Sequence, residues 1–296
     1  MIDNNIRRTN NFAQLLFLCG FSIVGLFIGA VISVSLAGLM GEPAMFLDEQ
    51  SLLFLRLSQI ISTVFWLLIP ASIYIFLFQG NSVPYLKLDK RQSILYIFLT
   101  ILLIIVIQPL VGFTAYINEQ VVFPESLSSI ENLFREWRET SEVLIGRFIA
   151  DDSLSGIILN VFIIAILAAF IEEIFFRGCF QQILLRIVNN KHIAIWITAV
   201  IFSAVHFDFY GFLPRVLLGA MLGYLFVWSG TLWVPIIAHF ANNMLSLIVQ
   251  KIYYGTPEYK ELENFNMQDD MVYVGLSLVL TSLIIYVLIK KVGGEN

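Results

Sequence analysis

The chain has 296 residues, of which 58% are hydrophobic and 13% are charged, and its formal net charge is −5. Because soluble domains carry roughly 25% charged residues, this composition excludes an ordinary soluble enzyme. The acidic balance argues against a nucleic-acid-binding protein, and 2 cysteines are too few for a secreted disulfide scaffold. The composition therefore predicts an integral membrane protein.

Long uncharged runs predict the helices that cross the membrane. A spanning helix needs about 20 apolar residues, and helices satisfy their own backbone hydrogen bonds in lipid. We therefore predict an all-α, polytopic bundle of about eight helices that forms a single membrane domain over residues 1–296. The predicted helices lie near residues 12–40, 57–78, 93–117, 154–187, 193–207, 216–229, 232–250 and 271–289. The first run far exceeds a signal-peptide core of about 7–15 residues, so it is interpreted as a retained span.

The polar connection from residue 119 to 152 predicts an amphipathic helix. Its apolar residues recur at helical spacing: Leu127, Ile130, Leu133, Phe134 and Trp137. Such a helix lies at the surface of a bilayer. It is either a solvated connector whose apolar stripe packs on the bundle, or a gate for a substrate, and the sequence leaves both interpretations open.

The basic residues favour one orientation in the membrane. With the amino terminus in the cytoplasm, more Lys and Arg residues flank the inner side, Arg7 and Arg8 among them, than the outer side, which includes Lys260. The positive-inside rule then predicts that both termini are cytoplasmic.

Three charged residues, Glu172, Glu173 and Arg177, interrupt the fourth predicted helix. Each costs about 2.5–3.5 kcal/mol at the middle of a membrane unless it is paired or hydrated. Glu173 and Arg177 share a helix face and can form an ion pair in the favourable Glu-before-Arg order. Glu172 points about 100° away and has no partner on its own helix. An unpaired carboxylate in the membrane is a candidate functional residue.

Two of the histidines fall within predicted spans. Glu172 and His206 lie at similar distances before and after a turn near Asn190. At about 1.5 Å per residue, they are therefore level within roughly 3 Å. His239 and Asn243 share one face of the seventh helix, and the short sixth helix would bring His239 toward the same depth.

A carboxylate, two imidazoles and a carboxamide suit hydrolysis. Glu172 can take a proton from water, and His206 can hold that water or share the proton. His239 and Asn243 can donate hydrogen bonds to the oxyanion of a tetrahedral intermediate. Glu172, His206 and His239 could equally ligate zinc and leave a position for water. Cys179 lies in an apolar run and is interpreted as a packing residue rather than a nucleophile.

Three motifs follow one another along the chain. They are EExxxR at Glu172, Glu173 and Arg177, FxxxH at Phe202 and His206, and HxxxN at His239 and Asn243. Together, over residues 157–249, they resemble the catalytic core of the CPBP intramembrane protease family, which includes CAAX proteases of the type II prenyl endopeptidase kind and bacteriocin-processing (Abi) proteins.

The resemblance implies a hydrolase that cleaves a peptide bond of a membrane-associated protein or peptide, such as the bond that releases the last three residues of a prenylated CAAX protein. In the family's terms, Glu172 and His206 resemble the water-activating pair. His239 and Asn243 resemble the oxyanion side, with Glu173 and Arg177 supporting them. Such proteins are often labelled metalloproteases, so zinc remains open as a cofactor. The expected location is a bacterial cytoplasmic membrane.

Two other functions compete with proteolysis. A membrane scaffold or bacteriocin-immunity protein could bind a peptide or partner through the same cavity without catalysis. A transporter could use the same carboxylates and histidines to relay protons. The sequence shows no inverted repeat of the kind that many transporters carry, and the complete motifs favour an enzyme.

Overall fold

The structure is a computed structural model that describes residues 9–43, 49–256, 266–267 and 269–294. Arg7, Arg8 and Lys260 of the charge comparison lie outside the described residues. Every regular element within the described ranges is a helix, which confirms the all-α fold. The main helices are α1 Asn11–Met40, α2 Leu52–Gln79, α3 Ile94–Glu119, α4 Ser128–Ile149, α5 Leu154–Val188, α6 Lys191–Ala204, α7 Phe212–Ser229, α8 Trp233–Tyr253 and α9 Met271–Gly294.

Six of these helices are long and apolar enough to cross a membrane: α1, α2, α3, α5, α7 and α9. The predicted count of eight therefore holds only approximately. The other two predicted spans do form helices, but α6 has only 14 residues. The 21 residues of α8 include His239, Asn242 and Asn243, whose polar side chains lower its mean hydropathy. The chain is an integral membrane protein with six helices long enough to span the membrane among the described residues.

Close packing of α6 on α7 depends on two glycines of α7. A Cβ atom at Gly219 would lie 3.3 Å from the Cα atom of Ala199, and one at Gly223 would lie 2.9 Å from a methyl group of Ile195. Small residues four apart let membrane helices approach closely. This contact holds the end of α6, and hence the segment that carries His206, against α7.

Helix α5 departs from regular α-helical geometry on both sides of its charged residues. Val161–Leu167 and Ile174–Gln181 are π-helical, and the α-helical turn Ala168–Glu173 lies between them. Short π-helical stretches are frequent at functional sites, because they shift side chains around the helix axis. Glu172 and Glu173 therefore lie in a short α-helical turn between two π-helical stretches.

The predicted amphipathic segment contains α4. At its carboxyl end, Asn160 of α5 donates a hydrogen bond of 2.6 Å to the carbonyl of Phe148. Arg56 of α2 pairs with Asp151 at 2.9 Å, and Lys251 of α8 donates to the carbonyl of Ile149 at 2.5 Å. Three helices of the bundle thus hold the end of α4 in place.

Candidate active site

One cavity of about 450 Å³ brings together the residues that the sequence singled out. Glu172, His206, His239 and Asn243 all line it. Its volume lies in the range of about 300–1,000 Å³ that is usual for ligand pockets. Helix α4 contributes Ser141 and the apolar residues Leu144, Ile145 and Phe148 to the cavity wall. The connecting helix is therefore more than a spacer between spans.

The Glu172 carboxylate faces both histidines. Its Oε2 atom lies 3.9 Å from Nε2 of His206 and 3.8 Å from Nε2 of His239. Both distances exceed hydrogen-bond length. Oε2 is buried and has no hydrogen-bond partner among the described residues. A small polar group placed between the three atoms could bind all of them.

The far side of each imidazole is fixed by an acceptor. Nδ1 of His206 lies 2.6 Å from the carbonyl oxygen of Phe202, and Nδ1 of His239 lies 2.9 Å from Oε1 of Glu173. A carbonyl or carboxylate oxygen only accepts, so Nδ1 of each histidine carries a proton. In a neutral imidazole, Nε2 is then an acceptor that faces Glu172.

Three acceptor atoms consequently converge when Glu172 is ionised and both histidines are neutral. A water molecule has only two hydrogens and cannot donate to all three. A water molecule between them can therefore donate to two of these acceptors at once. A carboxylate and imidazoles placed around one position suit general acid–base chemistry on a bound water molecule.

Glu173 and Arg177 form the expected ion pair. Their side chains are 0% exposed, and Nη1 of Arg177 lies 2.6 Å from Oε1 of Glu173. Arg177 also donates to the carbonyl of Gly219 at 2.8 Å, and its guanidinium carbon lies 4.7 Å from the centre of the Phe202 ring. Because Oε1 of Glu173 also accepts from His239, this pair links α5 to the imidazole on α8.

Asn243 is only partly available to a ligand. Its side-chain nitrogen donates to the carbonyl of Ile164 at 3.1 Å, in the first π-helical stretch of α5. One N–H of its amide group is thus bonded to the protein, and the second remains available to a ligand. Neighbouring Asn242 is oriented by Gln108, which donates to its oxygen at 3.3 Å.

The side chains of Glu172, His206 and His239 are not arranged as a zinc site. Zinc requires ligand atoms at about 2.0–2.2 Å in a tetrahedral arrangement. Over the described ranges, no group of three or more His, Cys, Asp or Glu side chains is arranged to hold a metal ion. Glu172, His206 and His239 carry the right atoms, but their present arrangement does not fit the metal, and zinc at this position stays a hypothesis.

The interpretation of Cys179 is confirmed. Its side chain is 0% exposed and belongs to a hydrophobic cluster with Phe176 and Leu232. It does not line the cavity.

Several cavity residues did not emerge from the motifs: Gln59, Ser141, Arg215, Asn242, Ser246 and Gln250. Ser246 and Gln250 could have been found, because they continue the face of α8 that starts at His239 and Asn243. Arg215 carries no such signal, since it follows an irregular loop.

Comparison with known proteins supports the motif assignment. The sequence model described as "Type II CAAX prenyl endopeptidase Rce1-like" matches residues 154–245. The uncharacterized protein YpbD of Bacillus subtilis (strain 168) is 33% identical over 85 residues, which cover 27% of this chain and 40% of YpbD. The match thus spans less than half of this relative. No solved structure matches the chain. Residues 154–245 carry the signature of the Rce1-like type II CAAX prenyl endopeptidases, which confirms the resemblance drawn from the three motifs.

Proposed function

We propose that the protein is an intramembrane endopeptidase that hydrolyses a peptide bond of a membrane-associated protein or peptide. The observation that carries this proposal is the convergence of Glu172 Oε2 and two imidazole Nε2 atoms, at 3.8 and 3.9 Å, in one cavity. This geometry lies within the segment that matches the CAAX prenyl endopeptidases. The substrate class is taken from that family.

The chemical step needs a base beside the attacking water. Glu172 accepts a proton from water while Nε2 of His206 accepts a hydrogen bond from the same molecule. The oxygen attacks the scissile carbonyl carbon and forms a tetrahedral oxyanion. The proton held by Glu172 passes to the amide nitrogen, the C–N bond breaks, and the products are a carboxylic acid and an amine.

Stabilisation of the oxyanion falls to α8. The free N–H of Asn243 can donate to the oxyanion. His239 can donate from Nε2 once it is doubly protonated, because its Nδ1 proton is already held by Glu173. The Glu173 carboxylate stabilises that imidazolium, as a buried carboxylate does in a catalytic triad. Arg177 holds Glu173 in position and takes no part in proton transfer.

The cellular setting is part of the same proposal. We place the protein in a bacterial cytoplasmic membrane with both termini in the cytoplasm, on the balance of Lys and Arg residues. Its partners are the lipid bilayer and a membrane-associated peptide or protein substrate, with no nucleic acid.

The test is cleavage by purified protein in liposomes. The probe is a farnesylated CAAX peptide that carries a fluorophore and a quencher on opposite sides of the scissile bond. The wild-type protein should cleave it, and Glu172→Gln should lower kcat by about 10²–10⁴-fold, because it keeps the shape and removes the base. Binding of the peptide without cleavage would instead support the scaffold or immunity function.

A further inference from the structure

Arg215 lines the same cavity as Glu172 but belongs to none of the three motifs. Among the described residues around this cavity, it is the one side chain with a permanent positive charge. Its side chain is 25% exposed, and it interacts electrostatically with His206. A fixed cation therefore lies at the edge of the proposed reaction site.

The guanidinium is held in place by a small built unit. Asp208 pairs with Nη2 of Arg215 through its carboxylate, and its carbonyl accepts from Nη1 at 3.4 Å. The other carboxylate oxygen of Asp208 accepts from the backbone N–H of Gly211 at 3.2 Å. A Cβ atom at residue 211 would overlap both side chains, so glycine leaves the space for the pair.

The position of Arg215 is unfavourable for a merely structural cation. It lies in the first turn of α7, which begins at Phe212. The amino-terminal end of a helix carries partial positive charge and disfavours a cation there. The helix end and the guanidinium together create a positive potential that Asp208 only partly offsets. Such a combination attracts anions.

We propose that Arg215 binds the carboxylate at the carboxyl terminus of the peptide substrate. This inference rests on the proposed function and narrows its substrate class to peptides with a free carboxyl terminus inside the cavity. The guanidinium has five N–H groups in a planar fork that matches a carboxylate. The bonds to Asp208 engage Nη1 and Nη2, and the remaining donors are available to a second carboxylate. Asp208 acts as the residue that orients the fork.

Binding can be measured separately from catalysis. Two farnesylated CAAX peptides, identical except that one ends in a free carboxylate and the other in a carboxamide, are titrated against the protein in nanodiscs by fluorescence anisotropy. The background is Glu172→Gln, so that no peptide is cleaved during the titration. The protein with Arg215 intact should bind the acid at least about tenfold more tightly than the amide, because one charge-assisted bond distinguishes them.

Substitution then locates the preference. Arg215→Gln should weaken binding of the acid by about tenfold and leave binding of the amide within about twofold. The affinity of Arg215→Lys for the acid should lie between those of the protein with Arg215 intact and Arg215→Gln, because lysine keeps the charge and loses the planar fork. Arg135→Gln is the matched control, since that arginine pairs with Glu131 and is 58% exposed, and it should change neither affinity.

Two results would overturn the role of Arg215. One is that the protein with Arg215 intact binds the acid and the amide with equal affinity, and the other is that Arg215→Gln weakens the binding of both peptides equally. The cleavage assay with Glu172 intact reports on the proposed function by itself. Cleavage of both peptides at equal kcat/KM would therefore refute carboxylate recognition and leave hydrolysis standing. Preferential binding of the acid without cleavage would support Arg215 and refute hydrolysis.

Discussion

Adjacent glutamates on α5 have opposite surroundings. Glu172 faces the cavity, is 15% exposed and has an Oε2 atom without a hydrogen-bond partner in the described structure. Glu173 is 0% exposed, and its Oε1 atom binds both Arg177 and His239. The Glu172 carboxylate faces two imidazole nitrogens across the cavity, whereas the Glu173 carboxylate is paired with a buried guanidinium. We propose on this difference that Glu172 takes part in the reaction and that Glu173 supports the site.

The largest expected effect is the loss of activity when Glu172, the glutamate that faces the cavity, is changed. Glu172→Gln should lower kcat on the farnesylated CAAX probe by about 10²–10⁴-fold. Its melting temperature in detergent should equal that of the wild type, because Glu172 holds no other part of the protein together. A variant that loses activity and melts early would place Glu172 in the structural network and remove the contrast.

Changes in the buried ion pair of Glu173 and Arg177 should lower stability as well as activity. Arg177→Ala leaves the Glu173 carboxylate buried without its cation, and breaking such a pair costs about 3–5 kcal/mol. The variant should therefore melt well below the wild type in detergent and lose activity as well.

The double variant Glu173→Gln with Arg177→Met sharpens this expectation. It removes both charges, so it should recover part of the lost stability, as coupled residues require. Activity should stay low, because His239 loses the carboxylate that orients it. Melting of the double variant at or below Arg177→Ala would show that the two residues are not coupled.

A smaller effect should follow from crowding between α6 and α7. Gly223→Ala places a methyl group 2.9 Å from Ile195 and 2.7 Å from Oε1 of Gln181, and overpacking costs about 1–3 kcal/mol. The melting temperature should fall and kcat should drop with it, because the segment carrying His206 shifts. Gly275→Ala in α9 is the matched control, since nothing lies within 4 Å of its added Cβ. Equal melting of the two variants would argue against the close contact.

The smallest effect concerns Asp151, outside the spans. Hydrogen bonds from Ser153 and Arg56 lower the pKa of Asp151 to about 2, from its ordinary 3.8. A folded-state pKa below the unfolded one adds stability that is present above about pH 4 and is lost as the pH falls toward about 2. Asp151→Asn should therefore melt below the wild type at neutral pH, and the gap should close in that acidic window. A gap that stays constant with pH would exclude the ionised carboxylate and its bonds to Ser153 and Arg56 as its cause.

The sequence predicted the parts of the site that short-range geometry controls. Glu173 and Arg177 are one turn apart, so their pairing follows from helix geometry alone. The level positions of Glu172 and His206 follow from two helices that meet at a short turn. Gly230 ends α7 with a φ of 66°, and this tight turn returns the chain so that His239 reaches the cavity.

Other features depend on contacts that spacing cannot reveal. The partner of Nδ1 in His239 is a carboxylate on another helix, and the relative tilt of α5 and α8 decides which oxygen it meets. Arg215 reaches the cavity because an irregular loop folds Asp208 back onto it. The π-helical stretches of α5 and the contribution of α4 to the cavity wall likewise arise from tertiary packing. The count of spans was only approximate because α6 has only 14 residues and because polar residues make α8 less apolar than a lipid-facing helix.

The most direct test of Glu172 as a base is a single turnover in water enriched in ¹⁸O. Excess protein in liposomes cleaves the farnesylated CAAX peptide once, and mass spectrometry measures the new carboxylate. We expect one ¹⁸O atom in that carboxylate from the first turnover, because the attacking oxygen comes from water. An unlabelled first-turnover product would mean that Glu172 attacked the carbonyl itself and gave up its own oxygen, which would contradict the proposed role.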